Sequence, residues 1–137
     1  MDTQAQTIVS VQTLQRQLQG QTILNNIDAQ IEPGDVIGLV GKNGSGKTTL
    51  LETLLGFGYP AFGKVRLWGE DATQLSGSAK QKIGFVPQRD ELLSTMAGRE
   101  HLKLYRALRQ HWNQALVDRL CDEWEIPLKR SVNKMSE

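Results

Sequence analysis

Ile27, Ala29 and Ile31 alternate with Asp28, Gln30 and Glu32. That period of two predicts a half-buried strand that ends at a Pro33-Gly34 turn. Upstream, Ile8 to Leu14 shows a similar but imperfect alternation and predicts a partner strand, with a turn around Gly20 inside Gln17 to Gln21. Val36-Ile37-Gly38-Leu39-Val40 has no polar face, the pattern of a strand covered on both sides in a parallel sheet. Glycines at 41, 44 and 46 follow at once. Thr48 to Leu55 then predicts a helix, with Leu50, Leu51, Leu54 and Leu55 as its apolar side and Gly56 as its stop.

Further along, Gly56 to Gly63, with Pro60, predicts a loop. Lys64 to Trp68 predicts an edge or meander strand before Gly69, and Thr73 to Lys80 a mixture of turn and short helix. Lys82 to Val86 predicts another strand, closed by Pro87, which has no N–H for a ladder. The character then changes. Leu102, Tyr105, Leu108 and Arg109 recur at helical spacing within Gly98 to Gln110. Leu116, Leu120 and Trp124 recur every four residues within Asn113 to Trp124, a second helix that Pro127 is expected to stop. Two such helices predict a small helical lobe on a sheet-based core.

A chain of 137 residues has room for one domain. Sixteen Lys and Arg against fifteen Asp and Glu exclude a strongly basic body built for nucleic acid, though not a local anion site. The single Cys121 excludes an intramolecular disulfide and fits a reducing compartment. No apolar run approaches the roughly 20 residues that span a bilayer. The start, MDTQAQTIVS, lacks the pattern of a secretory leader. A soluble cytosolic domain is the expectation.

The sharpest chemical signal is Gly41-Lys42-Asn43-Gly44-Ser45-Gly46-Lys47-Thr48, which fits G-x-x-x-x-G-K-[ST] at every fixed position. Glycines let successive N–H groups curl toward phosphate oxygens. The following helix adds its unpaired N–H groups and positive dipole end. Lys47 supplies a charge for the β- and γ-phosphates, and the Thr48 hydroxyl suits a magnesium ion that bridges them. With average composition the pattern arises by chance in about one chain in 200 of this length. A flexible turn between strand and helix is the plain alternative, and the strand before and leucine-rich helix after argue against it.

The whole chain resembles the nucleotide-binding domain of ATP-binding cassette (ABC) transporters, a P-loop NTPase of the α/β class. Gly41 to Thr49 resembles the family's Walker A segment, and Ile23 to Ile27 followed by Pro33-Gly34-Asp35 its lead-in strands. Phe85-Val86-Pro87-Gln88 resembles the Q-loop, and Glu100-His101-Leu102 the opening of the helical lobe. Lys134-Met135-Ser136-Glu137 resembles the first half of the LSGGQ signature. The resemblance therefore implies the N-terminal part of one domain. Residues 1–88 would be the nucleotide-binding core, with its N-terminal β-strands, and residues 89–137 the helical subdomain up to the signature.

The resemblance implies ATP and Mg²⁺ as ligands, with the nucleotide held by Gly41, Lys42, Asn43, Gly44, Ser45, Gly46, Lys47, Thr48 and Thr49. Lys47 and Gln88 would be catalytic, and Thr48 and Gln88 would face the metal; Gln88 would also face the attacking water. From its residue type alone, Gln88 is a solvated turn residue. Arg89-Asp90-Glu91 would face a transmembrane partner, or be a charged loop with no such role. Glu100 is equally well read as a helix-start carboxylate. Leu18 stands where the family places an adenine-stacking aromatic, so weaker base selectivity is implied.

The family's Walker B strand, catalytic glutamate, D-loop and switch histidine follow the signature, so the 137 residues alone are expected not to turn ATP over repeatedly. His101 and His111 read as partly exposed helix residues and Cys121 as a packing residue. Trp68 reads as a large side chain on a half-exposed strand. Without later strands, Val36 to Val40 should present an exposed apolar surface. The implied function is an ATP-binding subunit, or a fragment of one. It would work at the cytoplasmic face of a membrane with a permease and a second nucleotide-binding domain, head to tail, and without nucleic acid. A soluble ABC-family ATPase and a non-hydrolysing nucleotide module are the alternatives.

Overall fold

The computed structural model describes residues 7–88 and 92–135. Strands β1 (Val9–Leu18) and β2 (Gln21–Ile31) are followed by helix α1 (Lys47–Leu54) and strands β3 (Phe62–Leu67) and β4 (Glu70–Asp71). A 3-10 turn (Ala72–Gln74) and helices α2 (Gly77–Gln81), α3 (Gly98–Leu108) and α4 (Gln114–Glu123) complete the main elements, before a last 3-10 turn (Val132–Lys134). The chain divides into two units, Met1–Lys82 and Ile83–Glu137.

In the first unit the four strands form one antiparallel sheet in the order β2-β1-β3-β4. The imperfect alternation of β1 has a mechanical cause. Val9, Val11 and Leu14 are all buried, although strict alternation would turn Leu14 outward. A bulge between Val11 and Leu14, with Thr13 at φ 45°, shifts the register by one residue and brings Leu14 back to the core. The Thr13 N–H is held by the Asp28 carboxylate at 2.8 Å. Opposite the bulge, Gly63 has φ 87°, and a Cβ there would fall 2.4 Å from the Gln12 carbonyl oxygen. Only glycine fits that approach.

Gln19 and Gly20, both at positive φ, make the two-residue turn that joins β1 to β2. Trp68 and Gly69 do the same between β3 and β4. Trp68 is thus a turn residue rather than the strand residue expected, and the Lys82 ammonium lies 5.0 Å from its ring centroid. After β4, the Glu70 carboxylate accepts both the Ser76 N–H and hydroxyl, and Asp71 accepts the Thr73 N–H and hydroxyl. These bonds hold both carboxyls below their ordinary range, with Lys82 adding to the effect at Glu70 and Arg66 and Lys64 at Asp71.

Two expected strands are not formed. Val36 to Val40 is irregular, with Val36 96% and Val40 94% exposed. A ladder needs a neighbour, and among the described residues no strand pairs with this run. The expected exposure of its apolar surface is what the structure has. Lys82 to Val86 likewise joins no sheet, and Phe85 and Val86 are exposed.

In the second unit, α3 starts at Ala97, whose N–H donates to the Glu100 carboxylate at 2.7 Å. Glu100 is therefore a helix-start carboxylate. Asn113 caps α4 by accepting the Leu116 N–H. That helix stops three residues before Pro127, because Glu125 takes φ 50° and the Ile126 N–H turns back to the Cys121 carbonyl at 2.9 Å. Cys121 is buried, as its packing role requires. His101 is 5% exposed, a core residue rather than the partly exposed one expected. His111 is exposed and lies between α3 and α4, outside either helix.

Candidate functional site

The glycine loop leads from the irregular run Val36 to Val40 into the start of α1. Gly44 and Gly46 take φ 79° and 89°, which L-residues with a Cβ resist. Gly46 is the N-cap of α1, and no side chain caps that end. A Cβ on Gly46 would lie 3.0 Å from Ile23 Cγ2 and 3.3 Å from the Ile23 carbonyl oxygen. Gly46 thus serves two demands, a left-handed turn and close packing on β2. At the loop's other end, a Cβ on Gly41 would fall 2.7 Å from Ser45 Oγ.

Lys47 is the first residue of α1, and its ammonium folds back over the loop. It donates to the Gly41 and Lys42 carbonyl oxygens, both at 2.8 Å. Two of the three donors an ammonium carries are therefore on the loop itself. The cation closes the loop from its far end and places a positive charge at the helix N-terminus, where the dipole already favours an anion. Ser45 N–H donates to the Lys42 carbonyl at 3.2 Å and Leu50 N–H to the Gly46 carbonyl at 2.8 Å. Gly41, Lys42, Asn43, Gly44, Ser45 and Thr48 are all exposed, and Gly46, Lys47 and Thr49 half-buried.

The other expected site residues belong to other parts of the chain. Leu18 ends β1, pairs with Gln21 and is exposed. Gln88 is exposed and belongs to the second unit. The Arg89-Asp90-Glu91 cluster lies outside the described residues, as do Ser136 and Glu137 of the signature resemblance.

Among the described residues, no group of three His, Cys, Asp or Glu side chains could hold a metal. The Thr48 hydroxyl is a hard, neutral oxygen donor of the kind Mg²⁺ takes, and the other ligands of such an ion are ordinarily phosphate oxygens and water.

The sequence reading missed the support behind the loop. Arg16 of β1 donates to the Thr53 hydroxyl of α1 at 2.6 Å, and that hydroxyl donates to the Thr49 carbonyl at 2.6 Å. The available signal was a threonine inside a leucine-rich helix.

A glycine loop of this spacing that runs into a helix N-terminus, with this lysine as the first helical residue, defines the P-loop class of phosphate binders. The family profile for the ABC transporter matches residues 24–137, and the chain belongs to the ABC transporter family. It is 33% identical over 117 residues to the Nod factor export ATP-binding protein I of Burkholderia pseudomallei strain K96243, covering 83% of this chain and 38% of that one. The Cupriavidus metallidurans protein of the same description is 40% identical over 83 residues, 61% of this chain and 27% of its own length.

A solved ATP-binding subunit of an ABC transporter has the same fold, with a TM-score of 0.80 at 21% identity over 95% of this chain and 56% of that one. A second solved structure, described as a putative ABC transporter ATP-binding protein from Pyrococcus furiosus, gives 0.75 at 26% identity over 93% of this chain and 62% of its own. The chain thus spans under two thirds of each of these relatives. Among the described residues, no helix is long and apolar enough to cross a membrane.

Proposed function

We propose that the chain binds ATP with Mg²⁺ as part of the nucleotide-binding subunit of an ABC transporter. The observation that carries this reading is the Gly41–Thr48 loop, clasped by Lys47 on the Gly41 and Lys42 carbonyls at the start of α1. In this reading the loop N–H groups and the Lys47 ammonium bind the phosphates, and Thr48 and Gln88 hold the metal. Bound Mg²⁺ would neutralise charge on the β- and γ-phosphates. Lys47 would stabilise the same charge, and Gln88 would orient water.

The membrane permease, the second nucleotide-binding domain and a place on the cytoplasmic face belong to the same proposal. Family membership supports them, and the exporter relatives give the permease its support. The Nod factor named for those relatives is theirs. A transport role is favoured over a soluble ABC ATPase, since the relatives are export ATP-binding proteins and the charge is close to balanced.

Amide NMR tests the binding site directly. MgATP should shift Gly44, Gly46, Lys47 and Thr48 while equal concentrations of adenosine leave them in place. Shifts confined to residues outside 41–49 would refute the site.

Leu18 is proposed to pack on the base without selecting it, since leucine lacks a π-face. Leu18→Tyr should raise the ATP-over-GTP preference measured by calorimetry. A strong preference already present in the wild type, and unchanged by tyrosine, would contradict that role.

A further inference from the structure

One buried titratable side chain has no part in the proposed nucleotide site. His101, on the first turn of α3, is 5% exposed, and both ring nitrogens are bonded to main chain. Nε2 lies 3.0 Å from the Leu93 nitrogen and Nδ1 3.2 Å from the Ala97 carbonyl oxygen. A backbone N–H can only donate and a carbonyl can only accept, so the pair of contacts selects the neutral Nδ1–H tautomer. The ring thereby bridges the two ends of the 93–97 segment.

That segment is in turn bonded to residues distant in sequence. Val132 N–H donates to the Met96 carbonyl at 3.1 Å and Asn133 N–H to the Ser94 carbonyl at 2.9 Å. Gly98 N–H donates to Arg130 and Arg99 N–H to Leu128, and Ala97 bridges to Ser131. Gly98 permits the approach, since a Cβ there would meet Leu128 Cα at 3.2 Å and Met135 Cε at 3.3 Å. Two stretches that bracket both helices of the lobe are therefore stitched together by main-chain bonds, with His101 at the near end.

We infer that His101 is a positioning residue that makes residues 93–99 and 128–133 move as one body. This rests on the transporter reading above. There the first stretch follows the Q-loop resemblance, and the second runs into the signature resemblance at Lys134-Met135. A displacement imposed on the first by a membrane partner would reach the second through the stitched main chain, with no side-chain relay required. His101 acts by holding the 93–97 turn in the shape that offers the Ser94 and Met96 carbonyls to Asn133 and Val132.

Amide hydrogen exchange on the 137-residue chain, with His101→Phe and His101→Gln, tests this. Phenylalanine fills the volume without an acceptor, whereas the glutamine oxygen reaches about as far as Nε2. In His101→Phe, exchange at Leu93, Val132 and Asn133 should all rise roughly tenfold, the factor one lost hydrogen bond gives. His101→Gln should restore most of the protection.

Acceleration at Leu93 alone would overturn the inference, because the two stretches would then move independently. Equal acceleration in both variants would also overturn it, since ring packing rather than hydrogen bonding would then be the cause. Should His101→Phe fail to fold, the wild-type tautomer decides. Imidazole ¹⁵N shifts must report Nδ1–H, and an Nε2–H or doubly protonated ring contradicts the account. These readouts use no nucleotide, so their failure would leave the ATP site standing, and failure of ATP binding would leave them unmoved.

Discussion

Arg16 Nη1 donates to Thr53 Oγ1 at 2.6 Å, and this bond joins the antiparallel sheet to the helix behind the glycine loop. Thr53 is 1% exposed, and its hydroxyl donates its own proton to the Thr49 carbonyl one turn back. Gly58 leaves space for the guanidinium, since a Cβ there would fall 1.8 Å from Arg16 Nη1. Replacing Thr53 by valine keeps the volume and removes the acceptor, which leaves a half-buried guanidinium N–H without this partner. Chemical denaturation should show a loss of about 1–3 kcal/mol. An unchanged unfolding midpoint would mean that the Arg16–Thr53 bond holds nothing together.

The three glycines at 44, 46 and 56 share positive φ but differ in surroundings, so alanine should rank them. Gly44 faces open space, and its replacement should cost only backbone strain, about 1–2 kcal/mol. Gly46 adds tight contacts with Ile23 and Leu24 and should cost more. Gly56 would place a Cβ 1.9 Å from the Ala72 carbonyl oxygen, and its alanine variant should be the worst of the three. Thermal unfolding of the set checks the order, and Gly44→Ala as the most damaging would contradict the geometry.

Acid should loosen the β4–α2 connection before the rest of the sheet. Glu70 and Asp71 have their carboxyls held below the ordinary values of 4.5 and 3.8 by bonds from Ser76 and Thr73. A folded value below the unfolded one gives stability that is complete above the unfolded value. It is lost as pH falls through the folded value. Exchange protection of the Ser76 and Thr73 amides should therefore be flat from neutral pH down to the ordinary carboxylate range, and should fall below it. In Glu70→Gln the acid dependence at Ser76 should disappear. Its persistence would assign the effect to another group.

The sequence made the local elements legible where side-chain pattern and backbone chemistry agree. The Gly-rich loop and α1 lie where the G-x-x-x-x-G-K-[ST] pattern and the leucine spacing place them, and Gly56 ends the helix by the left-handed turn its type permits. The β1 bulge was visible only as imperfect alternation, because a bulge is a pairing property that needs the partner's register.

Val36 to Val40 shows the opposite failure. Its apolar run encodes a two-sided environment, but a strand exists only where neighbours accept its hydrogen bonds. His101 was misread because burial of a histidine depends on the Leu93 and Ala97 backbone groups, which no spacing rule reveals.

The central claim is that Lys47 and the loop it closes bind the phosphates of ATP. Titration calorimetry with MgATP and with adenosine, on wild type and Lys47→Ala, tests it most directly. Removing one charged hydrogen-bond donor should weaken MgATP binding roughly 10- to 150-fold and leave adenosine affinity unchanged. Equal MgATP affinity in the two proteins, with the variant folded, would contradict the account.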